Sequence, residues 1–283
     1  MKNKCSLIKK LSAMGLAAAF VFAAGCSGAG NDVTEAPSET TAVQQNQIQE
    51  TESTNNFAAE NNSNASTDET TAVQEETTAF TLPEEIPEIV ELFNQTANRI
   101  KTEAVKVVKN YEKRNVNEEE LVVPAALEST AKSAMKTFLS DDTEPIEYTT
   151  REEIVAEYIV PGQSYVSKLT ADTVESASCT DNGETYTIYL KLKDENNPTA
   201  GKGIGAVCDV IEAEEVAEKT SIVESFSTEY HDCEVKVTVD KESGRVISAN
   251  YNVPLILKIK VNLFGTHDFA LALSFEKDYT IYY

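Results

Sequence analysis

Few residues of this chain combine the types and the spacing that chemistry requires. His231, Asp232 and Cys233 are consecutive and could supply a nucleophile or metal ligands. Neighbouring side chains on a strand point to opposite faces, however, so only His231 and Cys233 would share a face, and two ligands fall short of a zinc site. The pattern favours a strand-edge histidine beside a core cysteine. We therefore predict no catalytic residue and no metal site.

The other motifs also lack the context of a reactive site. Residues 201–205 (Gly-Lys-Gly-Ile-Gly) resemble a phosphate loop, but they have no Lys-Ser or Lys-Thr ending and follow the polar loop 196–199. They favour a flexible loop that enters a short helix, and no cofactor is predicted. The acidic runs 118–120 and 141–144 lack the spacing of an EF-hand, so we interpret them as solvated loops.

Charge divides the chain into three regions. The 47 acidic and 24 basic side chains give a net charge of -23. Residues 1–26 carry four lysines and no acid, residues 27–82 carry ten acids and no lysine or arginine, and residues 83–283 carry a net charge of -17. Phosphate backbones bind stripes of Lys and Arg, so we expect no nucleic-acid partner.

The N-terminus has the layout of an export signal. Its four lysines precede the apolar stretch 11–24, which is too short to span a bilayer comfortably. The stretch runs into Ala23-Ala24-Gly25-Cys26, which resembles the lipobox of bacterial lipoproteins, although that family usually has Leu where this chain has Ala23. We predict a lipoprotein signal peptide over residues 1–25. A secretory signal with an incidental cysteine is the alternative.

The lipobox resemblance implies that Cys26 becomes the mature N-terminus and carries a diacylglyceryl group on its sulfur. Two acyl chains give stable membrane attachment, at about 0.8 kcal/mol per buried CH2. No other segment approaches 18 consecutive apolar residues. The expected location is the extracytoplasmic face of the cell membrane, and the membrane is a partner through the lipid anchor.

Three cysteines lie in the part of the chain that we expect to fold: Cys179, Cys208 and Cys233. In an exported protein this odd number permits one disulfide and one free thiol, and the sequence does not select the pairing. A buried, reduced set is equally compatible, because cysteine often behaves as a small core hydrophobe.

Residues 26–82 have the composition of a disordered tether. They consist mainly of Thr, Asn, Gln, Ser, Glu and Ala, and such a segment cannot bury enough apolar surface to offset the cost of backbone ordering. The hexamer Glu-Thr-Thr-Ala-Val-Gln occurs at 39–44 and again at 69–74, which we interpret as duplication within a spacer. A peptide-binding or O-glycosylated stalk is the alternative.

Two segments have the apolar spacing of amphipathic helices. Residues 81–84 (Thr-Leu-Pro-Glu) have capping-box spacing, and apolar residues then recur at helical spacing to about Lys101. A second helix is predicted over 124–139. Between them, the valines of segment 104–111 favour a strand over an extension of the first helix.

From residue 173 onward the apolar period becomes two. A turn at 181–183 predicts a hairpin between 173–180 and 185–192, and further alternation covers 233–239, 247–253, 255–263 and 269–276. Long antiparallel strands with one apolar face need a cover, which the two helices can supply. We predict a single α+β domain over 83–283, a curved antiparallel β-sheet covered on one face by two amphipathic helices and preceded by a disordered linker.

A helix-covered curved sheet behind a lipid anchor resembles the half-barrel folds of bacterial lipoproteins of the LolA and LppX type, which carry lipids or lipoproteins. The turn in residues 237–246 also resembles the strand-Asp-Lys-x-x-Gly-strand hairpin of such domains and of PepSY modules. Overall the chain looks similar to clostridial lipoprotein domains of unknown function. These resemblances imply a fold and transfer no site residue.

Three functions are compatible with these features. The first is a tethered, non-catalytic binding module that recognises a protein, glycan or peptide through its loops or the polar face of its sheet. The second is a carrier of a lipid or other apolar ligand, which would need a hollow with few polar contacts under the helices. The third is a hydrolytic enzyme that uses carboxylates, although no spacing singles out a pair.

Overall fold

The computed structural model of the chain describes residues 81–125, 128–129, 132, 141–212, 223–262 and 265–283. These ranges contain the helices α1 (Ile86–Glu103) and α2 (Arg151–Glu157) and short 3-10 turns at Ala171–Thr173 and Gly203–Ala206. The strands are β1 (Lys106–Val122), β2 (Ile146–Tyr148), β3 (Val174–Asp181), β4 (Thr185–Leu192), β5 (Glu195–Asn196), β6 (Val223–Tyr230), β7 (Glu234–Asp240), β8 (Arg245–Asn262) and β9 (Thr266–Tyr282).

Helix α1 forms where its apolar spacing predicts it, and its stripe of Ile89, Val90, Phe93, Ala97 and Ile100 is buried. The capping box predicted at 81–84 is wrong. The N-cap is Glu85, whose side chain makes no capping hydrogen bond, and a proline occupies the first turn instead.

The second described helix was not predicted from the sequence. Thr150 caps α2 through a capping box, since its hydroxyl accepts from the Glu153 backbone N–H while the Glu153 carboxylate accepts from the Thr150 N–H. The helix predicted over 124–139 lies mostly outside the described residues; within it, Glu128, Ser129 and Lys132 are helical.

The nine strands form one open antiparallel sheet, so the predicted α+β class is confirmed. The main order is β2-β1-β9-β8-β7-β4-β3. The first half of β8 pairs with β7, and its second half pairs with β6, which also pairs with β5. Pro254 lies between these two halves, where its missing N–H costs no regular ladder bond.

Several local predictions are also confirmed. Segment 104–111 contributes a strand, as predicted. Strand β1 continues through the acidic run 118–120, however, so the interpretation of that run as a loop is wrong. The hairpin between β3 and β4 turns at Gly183, which has a φ of 88° and whose N–H donates to Asp181. Strand β4 alternates as expected, with every second residue buried.

The core lies between one face of the sheet and the helices. Helix α1 contacts β3 and β8, while α2 contacts β2 and α1. We call this buried face the inner face. Lys101 of α1 is 2% exposed and donates from Nζ to the carbonyls of Val160 and Gln163, at 3.0 Å each. Burial lowers the pKa of Lys101 to about 7.

The described helices include none with the length and hydropathy needed to cross a lipid bilayer.

Candidate functional site

The face of the sheet opposite the core carries a continuous set of polar side chains. Strand register places five of them in one row across five strands: Tyr189, Lys236, Asn250, Asp278 and Tyr111. Because neighbouring strands lie about 4.8 Å apart, the backbones of the two tyrosines in this row are separated by about 19 Å across the sheet. The row therefore offers a long, polar contact surface.

Two further rows flank the first one on the same face. One consists of Lys191, Glu234, Asn252, Glu276 and Lys113, and the other of Thr187, Thr238, Ser248 and Thr280. Every residue in these rows is partly or fully exposed, and none has an aliphatic side chain; the third row ends at Thr280 because its next register partner, Val108 of β1, is aliphatic and only 8% exposed. We call these 14 residues the outer platform.

The two tyrosines of the platform are held in matching ways. Tyr111 Oη donates to Glu276 Oε1 and Tyr189 Oη donates to Glu234 Oε1, both at 2.6 Å. These hydrogen bonds to carboxylates raise the pKa of each tyrosine to about 12. Lys113 Nζ also lies 4.4 Å from the centre of the Tyr111 ring. Both rings are thus held by carboxylates on the next strand inward, β9 for Tyr111 and β7 for Tyr189.

The platform is electrically balanced. Its three lysines match its three carboxylates, whereas residues 83–283 as a whole carry -17. Lys113 Nζ lies 3.3 Å from Glu276, and Lys191 Nζ lies 3.0 Å from Glu175 and 3.0 Å from Asp232. The platform is therefore a neutral surface on an acidic domain.

The inner face carries charge in an unexpected place directly behind the platform. Tyr251, Lys277 and Glu112 form a row across β8, β9 and β1, although the flanking inner-face residues of β8 and β9 are mostly apolar. Lys277 Nζ lies 3.9 Å from Asp209, and both side chains are largely buried. These residues were not predicted from the sequence, although Lys277 occupies the same strand phase as Phe275 and Tyr279.

Glu112 is the most strongly compensated charge of the inner face. It is 4% exposed, and its carboxylate lies 2.8 Å from Lys109 Nζ and 3.0 Å from Arg114. Burial would raise the pKa of Glu112, but the charges of Lys277, Lys109 and Arg114 together lower it to about 2. Glu112 is therefore ionised at neutral pH and neutralises a set of buried cations.

A small cavity opens beside this buried row. It has a volume of about 20 Å³ and is lined by Asp209, Tyr230, Tyr251 and Lys277 together with Cys208 and apolar side chains. That volume suits about one water molecule. The Tyr251 hydroxyl has no hydrogen bond of acceptable geometry to the described protein atoms. A water molecule in this cavity could hydrogen-bond to Tyr251 and Lys277, but the cavity is too small for an apolar ligand.

The three cysteines that could have formed a disulfide are all free thiols, and they lie in three different parts of the fold. Cys179 is half-buried on the edge strand β3, Cys208 follows the 3-10 turn, and Cys233 lies between β6 and β7. Burial raises the pKa of Cys208 to about 12 and raises that of Cys233 further. Cys26 lies outside the described residues.

The other candidate motifs occupy loops. His231 and Asp232 lie in the connection between β6 and β7 rather than on a strand, with Asp232 at a φ of 48°. In the glycine loop the Ile204 N–H donates to the Glu195 carboxylate at 2.7 Å, so the chain's own anion occupies that position. Over the ranges that the structure covers, no group of three metal-ligating side chains comes together.

Comparisons with known proteins find no match for this chain: no family model, no curated protein and no solved structure is significantly similar to it.

Proposed function

We propose that this protein is a non-catalytic binding module, anchored by lipid on Cys26 to the extracytoplasmic face of the cell membrane, with the outer platform as its binding surface. The observation that carries the binding role is the platform itself. It presents 14 partly or fully exposed polar side chains in register on strands whose other face supports the core. A rigid sheet holds such groups in fixed positions, as recognition requires.

The N-terminal sequence supports the anchor. Residues 11–24 and the Cys26 motif have the order of a lipoprotein signal, and residues 27–82 can act as a spacer. A random coil of that length spans roughly 40 Å, and its like charges extend it further. The spacer and the acidic domain would both be repelled by an anionic membrane, which keeps the platform accessible.

The inner face gives a lipid carrier less support than the platform gives a binding module. A carrier needs a hollow under its helices, but the described inner face is filled by its own side chains, including Leu190, Val235, Leu255 and Leu273. The buried charges around Glu112 would also be a poor surface for acyl chains.

The anchor is tested by replacing Cys26 with Ser and growing cells with an alkyne-tagged fatty acid. We expect the Cys26→Ser protein to lose the acyl label and to leave the membrane fraction. Cys5→Ser is the matched control, because Cys5 lies in the basic start of the signal and should leave labelling unchanged. Undiminished labelling of Cys26→Ser would show that the chain is not anchored at this cysteine.

A further inference from the structure

We infer that the outer platform binds an uncharged polysaccharide that lies along the row from Tyr189 to Tyr111. This inference rests on the proposed binding function and names its ligand. It follows from three properties of the platform: its charge balance, the hydrogen-bonding types of its side chains, and the placement of its two tyrosines.

Charge balance argues against an ionic ligand. Two of the three platform lysines are engaged by carboxylates: Lys113 contacts Glu276 at 3.3 Å, and Lys191 contacts Asp232 at 3.0 Å. The third, Lys236, is exposed, and its charge is balanced only by the overall composition of the platform. An anionic polymer would have to displace these carboxylates and would meet a domain of charge -17. A cationic polymer would have to displace the lysines. A neutral ligand leaves every pair intact.

The side-chain types argue against a protein partner. Stable protein interfaces have an apolar core in which a few large side chains supply most of the binding energy. The centre of the platform contains Lys236, Asn250, Asn252 and Ser248, and the one exposed aliphatic side chain beside these four in β8 is Ile247, which is 37% exposed. A protein that covered this surface would desolvate many polar groups with little apolar burial in return.

The same side chains suit a sugar polymer. Each sugar hydroxyl both donates and accepts a hydrogen bond, and so do the amides of Asn250 and Asn252 and the hydroxyls of Thr238 and Ser248. The C–H faces of a sugar ring are apolar and can pack on an aromatic ring, such as the half-exposed Tyr189. Several sugar units can follow one another along the row.

The tyrosine positions set the length of the site. The tyrosine backbones are about 19 Å apart across the sheet, but each hydroxyl reaches a carboxylate on the next strand inward, Glu276 on β9 and Glu234 on β7, whose backbones are about 10 Å apart. That span still exceeds the length of a single sugar, so one monosaccharide cannot contact both rings. Their hydroxyls are already bound to Glu234 and Glu276, so each ring is oriented before a ligand arrives. Affinity should therefore increase from monosaccharide to polymer.

The test is affinity electrophoresis of the purified full chain in native gels that contain a neutral polymer: dextran, mannan or a β-glucan. We expect at least one of these polymers to retard the protein, and dextran sulfate to act no more strongly than dextran. A cationic polymer is not used, because it would bind a chain of charge -23 non-specifically. Tyr189→Ala and Asn250→Ala should each weaken retardation about tenfold, the equivalent of about 1.4 kcal/mol.

Tyr165→Ala is the matched control. Tyr165 also packs against a lysine, with Lys168 Nζ 4.1 Å from its ring, but it lies in the segment between α2 and β3. This variant should be retarded like the original chain. Thermal melting identifies variants that do not fold; if Tyr189→Ala unfolds, Asn252→Ala replaces it.

Three outcomes overturn the inference: no retardation by any neutral polymer, retardation by dextran sulfate only, or retardation that the platform variants leave unchanged. Each of these outcomes can occur while Cys26 is still acylated. A failed ligand assignment is therefore distinguishable from a failed anchor.

Discussion

Two glutamate-lysine pairs face opposite sides of the same two strands. Strand β1 contains Glu112-Lys113, and strand β9 contains Glu276-Lys277 directly across from it. Strand alternation turns Glu112 and Lys277 toward the core and Lys113 and Glu276 toward the platform. The same residue types are thus placed in register on both faces of the sheet, and only their surroundings differ.

This difference separates a role in stability from a role in binding. Glu112 is 4% exposed and lies among the buried cations Lys109, Arg114 and Lys277, so removal of its carboxylate leaves Lys109 and Arg114 with only the partly exposed Asp142 as a counter-charge. The side chains of Lys113 and Glu276 are 44% and 30% exposed, and water screens their interaction. The inner pair should therefore determine how stable the domain is, while the outer pair can be altered without unfolding it.

The largest expected effect is that of Glu112→Gln. This change keeps the shape of the side chain but removes its charge from beside Lys109, Arg114 and Lys277, and we expect it to lower the free energy of unfolding by about 3 kcal/mol. The matched change Glu276→Gln should cost less than about 1 kcal/mol. Urea unfolding at pH 7 measures both, and equal costs would refute the distinction between the two faces.

The pH dependence of the same variant sharpens the comparison. The pKa of Glu112 is about 2 in the folded chain, below its ordinary value of 4.5, so its stabilising contribution is fully present above about pH 5 and is lost as the pH falls toward 2. The stability difference between the original chain and Glu112→Gln should shrink from about 3 kcal/mol at pH 7 to nearly zero at pH 2. A difference that stays constant over this range would mean that the ionised carboxylate is not what stabilises the fold.

The sequence predicts the inner face better than it predicts the platform. Apolar spacing is enough to identify α1, β4 and β7, because each element buries one regular stripe. Strand β1 has no such stripe beyond Glu112, and it stays extended because β9 supplies a partner along its length. Local periodicity cannot reveal a strand that is specified by its neighbour.

The rows of the platform depend on register between strands that are distant in the chain. Tyr189 and Tyr111 are far apart in sequence, and a shift of one residue in any of the four pairings would break their alignment. Bulges in the pairing of β1 with β9 and of β7 with β8 change that register locally. Lys277 was accessible to sequence analysis, because it interrupts the apolar phase between Phe275 and Tyr279.

The smallest expected effect is that of Lys113→Met. Lys113 contacts Glu276 at 3.3 Å and packs over the Tyr111 ring, and both contacts are exposed to water. We expect this variant to lose less than about 1 kcal/mol of stability, because water weakens exposed ion pairs. That loss should diminish further in 1 M NaCl, where the screening length is about 3 Å.

Urea unfolding at low and high salt measures the stability loss of Lys113→Met, with Glu112→Gln as the reference, since the cost of the buried change should vary much less with salt. A cost for Lys113→Met that is large and independent of salt would show that the platform contributes to the stability of the fold rather than serving only as a surface.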